Sequence, residues 1–191
     1  MRYSADQKRE SCLKILKGAG RGFRAQGFAG IGVDGLAKEA GVTSGAFYTH
    51  FASKADAFRS AATTGLIELR EAVRDLQEKD PMHWLRKFAE FYMGFKRTCV
   101  LEESCALQTL TGEVARTDDK TKAAYEAELL LLVDAVATHL SKGTLHARRQ
   151  TAWAILTLLS GGVTLSRATY RPETGQQIAK AIIDAVIELA K

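Results

Sequence analysis

Residues 32–58 read Gly32-Val-Asp-Gly-Leu-Ala-Lys-Glu-Ala-Gly41-Val-Thr-Ser-Gly-Ala-Phe-Tyr-Thr-His-Phe51-Ala-Ser-Lys-Ala-Asp-Ala-Phe58. The apolar spacing of Val33, Leu36, Ala37 and Ala40 predicts a short helix over 33–40. Gly41 is the residue type that a left-handed C-cap favours. Thr43 or Ser44 then caps a second short helix, roughly 44–50. Phe47 and Phe51 lie one turn apart and should anchor that helix to a core. Thr43, Ser44, Gly45, Tyr48, Thr49 and His50 are left for the outer face. Ser53 caps a long helix reaching about Lys79, with Lys54 in its first turn. Two short helices, a tight turn and a third helix make the outline of a helix-turn-helix.

Working outward, residues 4–26 read as one helix, started by Ser4 or Asp6. Ile15, Leu16, Ala19 and Phe23 share a face, with Lys14, Lys17, Arg21 and Arg24 elsewhere around it. Gly18, Gly20 and Gly22 each cost about 1 kcal/mol relative to Ala there, which close approach of a neighbouring helix would offset. Gly20-Arg-Gly22 with Ala25 matches the dinucleotide-binding pattern G-x-G-x-x-A. No strand precedes it and no βαβ unit follows, so that match is rejected. Gly27 ends the helix and Phe28 returns to the core. Charge is placed unevenly along the chain. Residues 1–60 hold ten Lys/Arg against five Asp/Glu, while the remainder holds seventeen of each, so the net charge of +5 belongs to the first third. A basic face of this kind is what counterion release from DNA requires.

Residues 41–58 closely resemble the signature of TetR-family transcriptional regulators. The Ile15-Leu16 to Phe23 spacing, Gly27-Phe28 and Leu36-Ala-Lys-Glu-Ala-Gly41 extend the resemblance over residues 12–60. Where many relatives have Thr-Ser at the start of the second helix, this chain has Ile31-Gly32. Gly32 serves as N-cap at a cost of a few tenths of a kcal/mol relative to Ser. The resemblance assigns Tyr48, His50 and Lys54 chiefly to phosphates, and leaves Thr43, Ser44, Gly45 and Thr49 as base-edge or groove contacts, with Lys38 and Arg24 as helpers. No Arg, Asn or Gln lies on the reading helix, so strong bidentate readout is missing there. Specificity then leans on thymine methyls, water and DNA shape.

The rest of the chain is helical in pattern. Asp80-Pro81 opens a helix carrying Trp84, Phe88, Phe91, Tyr92 and Phe95, and residues 99–116 form a short helix or pair of turns. A seventh helix runs from Thr117-Asp118-Asp119 to about Ser141, and Gly143 stops it. An eighth spans about His146–Thr169. Pro172 and Thr174 introduce a ninth, with Thr174 and Gln177 as a capping box. The expectation is an all-α chain of about nine helices. Residues 1–52 would form the DNA-binding domain and residues 53–191 a ligand-binding and dimerisation domain.

In that body the resemblance implies a pocket for a small-molecule effector. Trp84, Phe88, Tyr92, Phe95, Cys105, Leu107, Leu110, Tyr125 and Trp153 are the residues nominated, although aromatics at helical spacing more often serve a core than a ligand pocket. Cys99 and Cys105 add a thiol-sensing alternative, with Lys96 and Arg97 favouring a thiolate and Glu102 and Glu103 opposing it. The eighth and ninth helices are the expected homodimer interface, with Gly161 and Gly162 allowing close approach.

Other classes are weaker. His50, His83, His139 and His146 do not fall at metal-ligand spacing with cysteines, and no P-loop, Ser elbow or His-Glu-x-x-His occurs. No metal, cofactor or catalytic residue is therefore expected. No apolar run approaches the roughly 20 residues that cross a membrane, and three unpaired cysteines favour a reduced cytoplasmic protein. The expected function is a ligand-responsive regulator, with repression favoured by the resemblance. It would bind a palindromic double-stranded DNA operator as a dimer, and a small hydrophobic or thiol-reactive effector would release it. The alternative is a helical adaptor, or an all-helical small-molecule-binding protein or enzyme, without sequence-specific DNA binding.

Overall fold

A computed structural model describes residues 5–191, with side chains from Arg9 onward. Ser4 and the Asp6 side chain, the two candidate caps of the first helix, lie outside the described residues. Ten α-helices follow in order: α1 Ala5–Gly30, α2 Val33–Ala40, α3 Ser44–Tyr48, α4 Lys54–Lys79, α5 Trp84–Phe91, α6 Ala106–Thr109, α7 Thr111–Val114, α8 Asp119–Thr138, α9 Leu145–Arg167 and α10 Pro172–Leu189. A π-helical turn, Tyr92–Lys96, continues α5, and a 3-10 turn covers Leu101–Glu103. The chain forms two compact units. The first comprises residues 1–65 and 101–125, the second 66–100 and 126–191, so the boundary falls inside α4 and again inside α8.

In the first unit, Ile15, Ala19 and Phe23 of α1, spaced by four, are fully buried with Leu36 of α2, Phe47 of α3 and Phe58 of α4. This is the one-sided burial that the sequence spacing implies. The α1 glycines have a structural reason. A Cβ on Gly18 would stand 2.5 Å from the Ala40 Cα and 2.6 Å from its nitrogen, so α1 and α2 meet backbone to backbone. Gly27 breaks α1 with φ 73° and ψ 172°, a conformation that L side chains avoid. The break delivers Phe28 to Phe23 and Phe58, with ring centroids 6.2 and 5.1 Å away. Gly65 leaves room for the Ala106 methyl. Arg24 Nε donates to the Glu102 carbonyl at 2.8 Å, tying α1 to the 3-10 turn. Tyr125, at the foot of α8, shares a 2.6 Å hydrogen bond with the Thr111 hydroxyl. Burial pushes its phenol up to about 12, and the bond to Thr111 opposes that rise.

In the second unit, Trp84, Phe88 and Tyr92 of α5 and its π turn are buried, as are Leu132 and Val136 of α8 and Ile155 and Leu159 of α9. Gln77 of α4 donates to the Ala135 carbonyl at 2.9 Å. Arg167, in the last turn of α9, donates to the carbonyls of Lys96 and Cys99 at 2.8 and 2.9 Å and closes the end of the π-containing segment.

Several expectations are corrected. The helix expected from Asp80-Pro81 starts instead at Trp84. Asp80 captures the His83 N–H with both its carbonyl and its carboxylate and closes a turn over 80–83. A hydrogen bond from Lys87 holds the Asp80 carboxyl down at about 2, helped by His83. The segment 99–116 is three short elements rather than one helix or two turns. The Thr174–Gln177 capping box does not form. Pro172 already begins α10, so Thr174 lies within it, and Arg171 is the N-cap without a side-chain bond. Gly162 serves intramolecular packing, since a Cβ there would meet Ile182 at 2.9 Å and Met93 at 3.1 Å. Gly161 is exposed, with nothing within 4 Å of such a Cβ.

Candidate nucleic-acid interface

The turn between α2 and α3 is built as its residues dictate. Gly32 caps α2 in an extended conformation with no side-chain bond, and the Leu36 N–H reaches its carbonyl at 3.0 Å. Gly41 takes φ 65° and ψ 39° and donates to the Ala37 and Lys38 carbonyls, ending α2 in the left-handed cap. Thr43 caps α3, its Oγ1 accepting from the Ala46 N–H at 3.2 Å. The helix spans five residues, two fewer than expected, because Thr49 and His50 turn back onto Ala46 and Phe47.

Phe47 and Phe51 point inward, 5.5 Å apart. That fixes the opposite face. Thr43, Gly45, Tyr48 and Thr49 are exposed, and Ser44 and His50 are half-buried. Tyr48 is 57% exposed, so it is no core aromatic; its ring touches Phe47 edge-on at 5.7 Å. His50 Nε2 lies 3.2 Å from Ser11 Oγ on α1, which orients the ring. Lys54 opens α4 with its ammonium 4.6 Å from the Phe28 ring centroid, a cation–π contact. Ser53 caps α4, accepting from the Asp56 N–H at 3.1 Å, and Asp56 in turn accepts from the Ala52 N–H at 3.3 Å. Lys38 is exposed at the end of α2, and Lys14 lies beside Gly41. Among the described residues, Lys14, Lys17, Lys38 and Lys54 have no carboxylate at ion-pair distance. The chemistry available is a short amide-rich helix presented beside uncompensated lysines, suited to a polyanion with a groove.

Sequence reasoning missed Asp34. Its carboxylate accepts from the Ser44 hydroxyl at 2.5 Å, joining the first turn of α2 to that of α3. Nothing in the periodicity signals a contact between those two turns.

The residues nominated for an effector pocket divide between the units. Trp84, Phe88 and Tyr92 are buried in the second unit, where Trp153 is half-buried. Phe95 is 48% exposed and stacks on Phe91, with Lys96 over both rings. Cys105, Leu107, Leu110 and Tyr125 are buried in the first unit. A separate groove of about 360 Å³ in the first unit is lined by Phe28, Ala55, Phe58, Glu113, Arg116 and Asp118 among others, and contains none of the nominated residues. Among the described residues, no cluster of three His, Cys, Asp or Glu could hold a metal, and no helix is long and apolar enough to cross a membrane.

Comparison with known proteins agrees with this geometry. Residues 15–61 match the family model described as bacterial regulatory proteins, tetR family. No curated protein matches the sequence. Among solved structures, a TetR-family transcriptional regulator from Agrobacterium tumefaciens is similar at 17% identity and TM-score 0.74, over 93% of this chain and 98% of that one. The reduced form of NemR from E. coli is similar at 15% identity and TM-score 0.77, over 94% and 97%. The TetR-family regulator SCO4454 from Streptomyces coelicolor is similar at 19% identity and TM-score 0.75, over 95% of each chain.

Proposed function

We propose that this chain, whose residues 15–61 match the tetR family of bacterial regulatory proteins, is a transcriptional regulator of that family that binds a palindromic operator as a homodimer and represses until an effector releases it. One observation carries the DNA reading. The α3 face opposite Phe47 and Phe51 presents Tyr48, Thr43, Gly45 and Thr49 to solvent, beside lysines that, among the described residues, have no carboxylate at ion-pair distance. In this reading Tyr48, His50, Lys54 and Lys38 hold phosphates and set the register, while Thr43, Ser44, Gly45 and Thr49 enter the major groove. A two-fold dimer would engage half-sites about 34–36 Å apart, or a multiple of that.

The proposed dimer uses α9 and α10. Leu165 and Leu189 are exposed there, and Gly161 opens a gap on the same helix as Leu165. The effector would act by population shift, binding a conformation of the body whose reading heads no longer fit the operator. Trp84, Phe88 and Tyr92, with Trp153, are the side chains we assign to a hydrophobic effector. For a thiol-reactive one, Cys99 is better placed than the buried Cys105. Cys99 is half-buried, and the Arg167 guanidinium lies 3.4 Å from its sulfur. The domain assignment follows the same division of labour, with residues 1–52 for DNA and 53–191 for effector and dimerisation.

The test is binding to duplexes selected from the DNA upstream of the protein's own coding region. Saturable, salt-sensitive binding that Tyr48→Ala abolishes with helical content unchanged supports the reading. A folded wild-type protein that retains no duplex over random DNA refutes it.

A further inference from the structure

The hydroxyl groups of the reading helix are largely committed within the protein. Thr43 Oγ1 accepts from the Ala46 N–H at 3.2 Å, and Thr49 Oγ1 donates to the Ala46 carbonyl at 2.6 Å. The Ser44 hydroxyl donates to Asp34 Oδ1 at 2.5 Å. A carboxylate only accepts, so the Ser44 proton is spent and its oxygen keeps acceptor capacity alone. Asp34 itself is exposed. At the joined first turns of α2 and α3, in the most basic third of the chain, the surface therefore carries a small patch that accepts hydrogen bonds and donates none through these two side chains.

That patch discriminates among the base edges of the major groove. Guanine presents N7 and O6, and thymine presents O4; all are acceptors and would meet oxygen lone pairs. Adenine offers an amino group beside an acceptor at N7. Cytosine offers its N4 amino group with no acceptor on the same edge. We propose that Asp34 and Ser44 together read the amino group of a cytosine in each operator half-site. The assignment rests on the operator-binding function proposed above and extends it to the base chemistry. It places the specificity determinant partly on α2, outside the reading helix.

The experiment selects bound duplexes from a random pool with wild-type protein, Asp34→Asn and Ser44→Ala. Affinities are then measured by fluorescence anisotropy. Asp34 is exposed and Ser44 half-buried, so circular dichroism should match wild type, while loss of their hydrogen bond lowers the thermal midpoint only modestly. The wild-type half-site is expected to require cytosine at one position, with its replacement by thymine weakening binding about fivefold or more. Asp34→Asn replaces one acceptor oxygen with an NH2 donor, so the pair no longer only accepts; Ser44→Ala removes the oxygen. Both variants should lower that discrimination to about twofold or less at the same position, while the salt dependence set by phosphates persists. A selected half-site without a cytosine requirement, or one whose requirement survives both substitutions, overturns the assignment and leaves operator binding standing. A wild-type protein that enriches no sequence overturns both.

Discussion

Gly18→Ala and Gly20→Ala are the same chemical change, two residues apart on one helix, and should have opposite effects. Each gains about 1 kcal/mol of helix propensity. At Gly18 the new methyl would stand 2.5–2.7 Å from the Cα, nitrogen and Cβ of Ala40. Those are mainly backbone atoms, which rotamer changes cannot move. Ordinary carbon contacts need about 3.5–4.0 Å, so α1 and α2 must separate by about 1 Å. A clash with backbone falls in the upper part of the range that overpacking costs, about 2–3 kcal/mol, which exceeds the propensity gain. At Gly20 the nearest atom is Arg24 Nη1 at 3.3 Å, the far end of a flexible side chain, and a small shift accommodates it. Urea denaturation followed by circular dichroism should show Gly18→Ala destabilised by about 1–2 kcal/mol, and Gly20→Ala unchanged or stabilised by up to about 1 kcal/mol. DNA affinity should fall with the first, because α2 braces the reading helix. Equal stability of the two variants would refute the claim that Gly18 is required by a backbone-to-backbone contact.

Further outcomes follow from other features. The Tyr125 phenol has a folded pKa raised to about 12, so the stability it contributes is complete below the ordinary value near 10 and is lost as pH rises from there through 12. Ultraviolet difference titration should show a late tyrosine signal that Tyr125→Phe removes, a variant costing about 1 kcal/mol for the lost Thr111 bond. Salt provides another check. With Lys38 and Lys54 of both protomers on phosphates, operator affinity should fall on the order of 100-fold between 50 and 200 mM salt. Lys54→Ala should lower the logarithmic slope by about two per dimer, and a flat response would contradict the phosphate assignment. Gly161→Leu should leave the monomer as stable as wild type, since its site is open, yet raise the dissociation constant measured by sedimentation. A dimer unaffected by it would place the interface elsewhere.

The reading head was legible because local chemistry determines it. Gly41 takes the left-handed cap, Thr43 accepts the Ala46 N–H, and Phe47 and Phe51 define the inner face by spacing alone. The start of α5 was not legible, because it depends on which acceptor captures the His83 N–H, and Asp80 competes successfully with helix propagation. Gly161 and Gly162 look alike in sequence, yet one faces solvent and the other Ile182; a single residue of helical register, about 100° around the axis, separates them. Tyr48 was ambiguous until its exposure distinguished surface from core. The Asp34–Ser44 bond joins residues ten apart across a turn, beyond any periodic signal. Trp84 and Phe88 of α5 are buried as both a core and a pocket wall require, while Phe91 is exposed, so spacing alone could not divide those roles.

Each compact unit is assembled from two separated stretches, 1–65 with 101–125 and 66–100 with 126–191. The units therefore interleave along the chain, which constrains the order of events on the ribosome. The helix-turn-helix residues emerge first, but the 3-10 turn that receives Arg24 and the Ala106 methyl that packs at Gly65 are synthesised only some 35 residues after α4 leaves that unit. Until Tyr125 has emerged, the first unit lacks its second stretch, while residues 66–100 wait for partners that lie beyond 126. Nascent chains arrested near residue 70 and near residue 160 should accordingly differ in protease resistance of the amino-terminal third, although its covalent sequence is identical in both.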